Sequence, residues 1–353
     1  MAAEHSAPQR IAYFDVLRVL ATFAVIVLHL SAQHWADVDV MSGAWQAFNL
    51  YSSSVRWAIC IFVMISGALF LSGTQSIGQI LRKNVLRIIT AFLFWSALYA
   101  VYGIVFYGYS LRTAALQLIN GHYHMWFLYM IVGLYLIVPL LRPIAQSEKL
   151  TRYFLLLALF FNFLLPLVSS VFWLTSWEYY NGFQTLTGML YYHFTLGFTF
   201  YFVLGYYLSR SDIPARLLRW SYRLGVLGLI LTASLTSLAS RSKGTATVLF
   251  YNYDTVNVLM MCLGLFLFAR SYLNLPTLGE KGHARIRALS RWSFGAYLVH
   301  PMVIEALDQF LHINTLSLNA FFSVPLLAVF VFAVSTAISA LLSRVPIVNK
   351  YFI

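Results

Sequence analysis

Apolar positions along this chain gather into ten runs of hydrocarbon length, separated by short polar connections. The runs cover roughly 13–32, 55–72, 86–107, 123–141, 152–170, 190–209, 222–239, 254–270, 292–311 and 320–342. An α-helix needs ~17–25 mostly apolar residues to cross the hydrocarbon core of a bilayer. The pattern therefore predicts an all-α, polytopic integral membrane protein of about ten transmembrane helices. No soluble insert, low-complexity stretch or clear internal repeat divides the runs, so residues 1–353 read as one transmembrane domain.

Composition strengthens that reading. Hydrophobic residues make up 61% of the chain and charged residues 10%, and the mean hydropathy is +0.76. No soluble globule of this length is built that way. Cys60 and Cys262 both fall inside apolar runs, which indicates neither a disulfide framework nor a cysteine metal site. The first run follows a polar stretch and lacks a convincing small-residue cleavage site, so it is expected to stay as a spanning helix.

The net charge of +12 invites a nucleic-acid reading, but its distribution rejects one. With the amino terminus in the cytoplasm, only Arg56, Arg112, Arg241 and Lys243 fall on the outer side. Arg18 lies inside the first run, and every other basic residue falls on inner loops and tails. That asymmetry is the positive-inside rule, and it predicts both termini in the cytoplasm.

Several runs carry polar groups that a plain span does not need. The first reads Y-F-D-V-L-R-V-L-A-T-F-A-V-I-V-L-H-L from Tyr13 to Leu30 and contains Asp15, Arg18 and His29. At ~100° per residue Arg18 and His29 fall ~20° from the same azimuth, and they are ~16 Å apart along the axis. Asp15 and Arg18, three residues apart, are close enough to pair. Ionisable groups in such a segment are expensive and mark a functional site by default. Snorkelling of Arg18 to the inner headgroups, with His29 in the outer interface, fits the same spacing.

Candidate chemistry recurs further along. Ser66 and Gly67 in F-V-M-I-S-G-A-L form a small pair, suited to close helix packing or to ligand contact. Arg82, Lys83 and Arg87 in L-R-K-N-V-L-R stand where cytosolic phosphates would arrive, although topology alone would also put cations there. His122, His124 and Trp126 open the fourth run; the His-x-His pair lacks a third ligand by spacing, so no metal site is assigned. In S-R-W-S-F-G-A-Y-L-V-H-P-M-V-I-E, Ser293, Tyr297 and His300 share one helical stripe, and Glu305 follows. Pro301 frees the carbonyl of Tyr297, which predicts a kink or local opening. A buried structural histidine is the plainer reading of His300.

Taken together the groups describe a two-ended site, with cations facing the cytosol and imidazoles plus a carboxylate near the middle and outer half. A long, phosphate-headed donor fits the first end. Histidine suits the second, because it can take and return a proton near neutrality or be acylated itself. A transporter or exporter of a small anionic metabolite or glycan precursor would also place ionisable groups at mid-membrane, but with repeated halves that are not seen here.

The chain resembles the membrane acyltransferase-3 family, and within it the surface-polysaccharide branch that includes enterobacterial common antigen O-acetyltransferases. The likeness rests on Arg18 and His29 within the first run and on F-V-M-I-S-G-A-L at Phe62 to Leu69. It continues through H-M-W-F-L-Y-M-I-V-G-L-Y-L-I-V-P at His124 to Pro139, G-Y-Y-L-S at Gly205 to Ser209 and S-F-G-A-Y-L-V-H-P at Ser293 to Pro301. Each motif alone is weak; their order along nearly the whole chain is specific. The resemblance implies a bacterial cytoplasmic membrane location and a cytoplasmic acyl-CoA, usually acetyl-CoA, as co-substrate, with no tightly bound cofactor. It implies transfer to a hydroxyl of an envelope polysaccharide or lipid-linked glycan. His29, Arg18 and Asp15 are the expected catalytic group. Arg18, Ser66, Arg82, Lys83 and Arg87 are expected to meet acyl-CoA, and His124, Trp126, Tyr297, His300 and Glu305 the acceptor. Some relatives carry a further extracytoplasmic hydrolase-like domain; the sequence at hand shows none, so the membrane domain is expected to complete the reaction.

Overall fold

Hydrocarbon offers no water to peptide groups, so a chain this apolar must satisfy its backbone within each segment, and helices do so locally. A computed structural model describes residues 11–189, 197–273 and 279–353, and these form helices with no strand among them. α1 (Ala12–Gln33) is followed by α2 (Gly43–Ser54) and α3 (Ala58–Ser72), one apolar run broken at residues 55–57. A single turn, α4 (Ile77–Gln79), passes through a π-helical stretch, Ile80–Val85, into α5 (Leu86–Tyr107). Then come α6 (Leu111–Asn120), α7 (Trp126–Gln146) and α8 (Glu148–Leu159), the last joined by a second π-helical stretch, Phe160–Leu164, to α9 (Leu165–Thr175). α10 (Trp177–Gly188), α11 (Thr199–Arg210), α12 (Ala215–Lys243) and α13 (Val256–Tyr272) follow. The chain closes with α14 (Glu280–Leu311), α15 (Ala320–Leu342) and the short α16 (Pro346–Tyr351).

Among the described residues, eight helical stretches are long and apolar enough to cross a membrane. They coincide with eight of the predicted runs, and the second lengthens to Gly43–Ser72. The sixth run, 190–209, ends in α11, while its residues 190–196 lie outside the described residues, as does Arg10. The ninth, 292–311, is the second half of the 32-residue α14. His300, Glu305 and Asp308 keep that half too polar to stand out as a plain span, which is itself a sign of its use.

α1 is the axis of the bundle. Two thirds (67%) of its most apolar stretch is buried, against 28% for the stretch formed by α8 and α9. It packs on α14, α3, α15 and α2. Its first half, with Tyr13, Phe14 and Leu17, belongs to one hydrophobic cluster with α3, α11 and α13. Its second half, with Val25, Ile26 and Leu30, belongs to another with α2, α14 and α15. Without a hydrophobic driving force between helices in lipid, close backbone approach supplies the packing. Gly67 of α3 and Gly205 of α11 show it: a Cβ on the first would collide with the Phe202 carbonyl, and one on the second with the Met64 backbone. The small residue expected at this crossing is thus a packing device, and Ser66 beside it is left to face inward.

Candidate active site

The carboxylate of Asp15 anchors the lower half of α1. It is 2% exposed, accepts from Ser290 Oγ at 2.6 Å and takes a longer bond, 3.4 Å, from Arg18 Nη1. The i, i+3 pair expected from the sequence therefore forms, with α14 contributing the second donor. Arg18 keeps a partly open side chain. It lines a cavity of about 300 Å³ with Ser66, Arg87, Tyr135, Ser293 and Tyr297. It also borders a larger one of about 1140 Å³ together with Asp15, Asn84 and Arg210. A third cavity, about 840 Å³, is lined by Arg82, Lys83, Arg87 and Lys350, and Asn84 is common to all three. The π-helical stretch explains the crowding of polar groups here. Its wider turn shifts Arg82, Lys83 and Asn84 off ordinary helical register, and such stretches recur at functional sites.

The other half of α1 meets a cluster of rings. His29 stands 5.1 Å from His300 and 5.0 Å from Tyr123, centroid to centroid. His124 is 5.4 Å from His300, and His122 stacks on Tyr99 at 4.1 Å. Pro301 accounts for how His300 is held. α14 runs through Pro301 to Leu311. The Tyr297 carbonyl, deprived of its usual donor by the proline, instead accepts from His300 Nδ1 at 2.6 Å. With its proton on Nδ1, a neutral His300 has its lone pair on Nε2, which is buried without a partner among the described residues.

A similar accounting applies to His124. Glu305 Oε1 lies 3.0 Å from His122 Nε2, and the Nδ1 atoms of His122 and His124 are 3.2 Å apart. If His122 is neutral and donates to Glu305, it accepts at Nδ1 from His124, so His124 also has its lone pair on a buried, unpartnered Nε2. The His-x-His pair bonds within itself and to Glu305. Among the described residues no three His, Cys, Asp or Glu side chains are placed to hold a metal ion.

Tyr297 joins the two regions. Its ring borders the Arg18 cavity and approaches His124 and His300 at 5.2 and 5.9 Å, while its hydroxyl donates to the His124 carbonyl. Tyr297 thus lies between Arg18 and the rings around His29. Arg18 lines the cavity, and His29 stands next to His300.

Arg18, Ser66 and Arg87 meet at one cavity, Arg82 and Lys83 line its neighbour, and Asp15 holds Arg18. His124, Tyr297, His300 and Glu305 gather with His29. Trp126 stands apart, 39% exposed, its ring near Phe198 and Tyr253. The chain pattern missed Asn84, Tyr135, Lys350 and Arg56. Asn84 had a signal, lying inside the basic L-R-K-N-V-L-R stretch. Arg56, expected on an outer loop, occupies the break between α2 and α3. Its guanidinium lies 3.8 Å over the Tyr251 ring and donates to Ser52 Oγ at 2.5 Å, while its buried Nε has no partner among the described residues.

The sequence model of an acyltransferase domain, that of the acyltransferase-3 family, matches residues 11–344. The chain belongs to the acyltransferase-3 family. Neither a curated protein nor a solved structure matches it. Family membership and the apolar helices together make this a multi-pass membrane acyltransferase. The matched region contains every residue assembled above except Lys350.

Proposed function

We propose that this acyltransferase-3 protein moves an acetyl group from cytoplasmic acetyl-CoA to a hydroxyl of an envelope polysaccharide or its lipid-linked precursor, in a bacterial inner membrane. The carrying observation is the succession of basic cavity, Arg18 cavity, Tyr297 and histidine cluster along one axis. The distribution of basic residues supports putting the Arg18 end in the cytoplasm. There Arg82, Lys83, Arg87 and the newly found Lys350 offer cations to the phosphates of the donor. The ~16 Å between Arg18 and His29 is then spanned by the donor's arm, its thioester lying near Tyr297.

At the other end His29 takes the proton of an acceptor hydroxyl as that oxygen attacks the thioester carbonyl carbon. A C–O bond forms, the C–S bond breaks, and the proton is returned to the departing thiolate. In the covalent version His29 itself attacks the thioester and is deacylated by the hydroxyl; the net balance is the same. His300 presents a neutral acceptor alongside, and Glu305 holds His122 in orientation. Arg18, fixed by Asp15, positions the donor and offsets developing negative charge.

The test is analysis of envelope glycans from cells with the intact gene, a deletion, and His29→Ala at matched membrane abundance. Ester-linked acetyl should be lost in the deletion and in His29→Ala; unchanged acetylation in a verified His29→Ala strain rejects the assignment.

A further inference from the structure

A fourth cavity, about 350 Å³, lies between α9, α10 and residues 249–255. The loop has two faces. Tyr251 carries Arg56, and Tyr253 approaches Phe198 and Trp126, the residue two places after His124 in the chain. Asn252 and Asp254, interleaved with them, line the fourth cavity. Opposite stand Trp173, Tyr180 and Gln184, with Ser169 beside them. Gln184 Nε2 donates to Tyr180 Oη at 3.0 Å, and Lys243 Nζ sits 4.4 Å from the Trp173 ring, so both rings are held in place. Ser169 Oγ is buried with no partner among the described residues. A hydroxyl in that position is costly unless something supplies its hydrogen bond.

We infer that this cavity is a subsite for an uncharged sugar of the acceptor glycan, a reading that rests on the function proposed above. The chemistry selects that class. Aromatic faces carry negative charge density and attract the polarised C–H groups of a pyranose ring. The amide, carboxylate and hydroxyl groups around them match a ligand with several hydroxyls, which both donate and accept. Asp254 lines the cavity and no Lys or Arg does, Lys243 being engaged on the Trp173 ring, so the lining itself offers a phosphate or a uronate no cation. The lining also holds Leu165, Pro166, Phe183 and Leu249, but an acyl chain would leave Ser169, Asn252 and Asp254 without partners, which a sugar would not. The shared loop couples the two sites: a glycan seated here would extend past Tyr253 towards the histidine cluster.

The test uses full-length His29→Ala protein in nanodiscs, titrated with oligosaccharides released from the envelope of the native cells. Adding Trp173→Ala should weaken binding roughly tenfold, with Trp173→Phe restoring most of it. Gln184→Ala, at an exposed position, should weaken binding several-fold and carries the test if Trp173→Ala does not fold. Equal binding by all variants, or no binding by any, overturns the subsite. A separate assay with unmutated His29 keeps the two claims apart. Binding without acetyl transfer from acetyl-CoA sinks the enzymatic reading and leaves the sugar site. Transfer with an acceptor KM unmoved by Trp173→Ala does the reverse.

Discussion

The two halves of α1 serve opposite kinds of environment. Around Arg18 the walls mix cations and polar groups with apolar side chains such as Phe62, Phe127 and Phe294, and three cavities share Asn84. His29 meets the rings of Tyr123 and His300 at 5.0 and 5.1 Å; it is half-buried and Tyr123 is exposed, while His300 and His124 are 0% and 1% exposed. An open, basic end suits a soluble polyanion that must exchange with water. The buried imidazoles of His300 and His124 suit chemistry from which water has to be kept, because on the proposed function a thioester exposed to water beside a base would hydrolyse. On the proposed function this is a division of labour along a single helix: one half would recognise charge and the other would control protons.

The sharpest way to break this comparison is to remove one end and watch the other. His29→Ala should lower single-turnover acetyl transfer by at least ~100-fold while leaving CoA affinity unchanged. A parallel loss of CoA affinity in calorimetry would merge the two ends into one site. Arg18→Ala should weaken CoA binding about 30-fold, since it strips a charged partner from a partly buried ligand and leaves Asp15 uncompensated. Equal dissociation constants for intact and variant protein would remove Arg18 from donor recognition.

Tyr297→Phe probes the joint. Loss of its bond to the His124 carbonyl should cut kcat about fivefold, with CoA affinity and thermal stability little changed. A variant with unchanged kcat would mean that the ring alone, and not the hydroxyl, links the regions. The smallest effect is expected at the outermost cations. Arg82→Ala together with Lys83→Ala should raise the acetyl-CoA KM a few-fold at low salt, and the difference should vanish near 1 M salt as exposed charges are screened. A salt-independent effect would place these side chains against the donor more closely than the open cavity suggests.

Much of the fold was legible because hydrocarbon imposes length. Helices fall on all ten predicted runs as far as those are described, and the i, i+3 spacing of Asp15 and Arg18 gave their pairing. The stripe of Ser293, Tyr297 and His300 also holds, with all three buried. Legibility failed where partners come from distant sequence. Pro301 announced a freed carbonyl, but not that the imidazole of the preceding residue would occupy it. Arg56 counted as a topology charge because nothing in its neighbours reveals that Tyr251 lies beneath it. Nor did the motif around Trp126 reveal that its ring would meet Phe198 and Tyr253. Lys350 gave no signal at all, since only the packing of the carboxyl-terminal segment on α5 brings it to the basic cavity.

What the sequence determined by itself is local and periodic: apolar length, helical azimuth, the bias of basic loops, and the order of short motifs. Those follow from the solvent and from 3.6 residues per turn, and need no knowledge of neighbours. The tertiary structure alone decided which lone pairs stay unpaired, which cavity each cation borders, and that Tyr297 stands between Arg18 and His29. Such facts depend on where α1, α7 and α14 meet, and crossing helices bring together residues whose separation along the chain carries no trace of their contact.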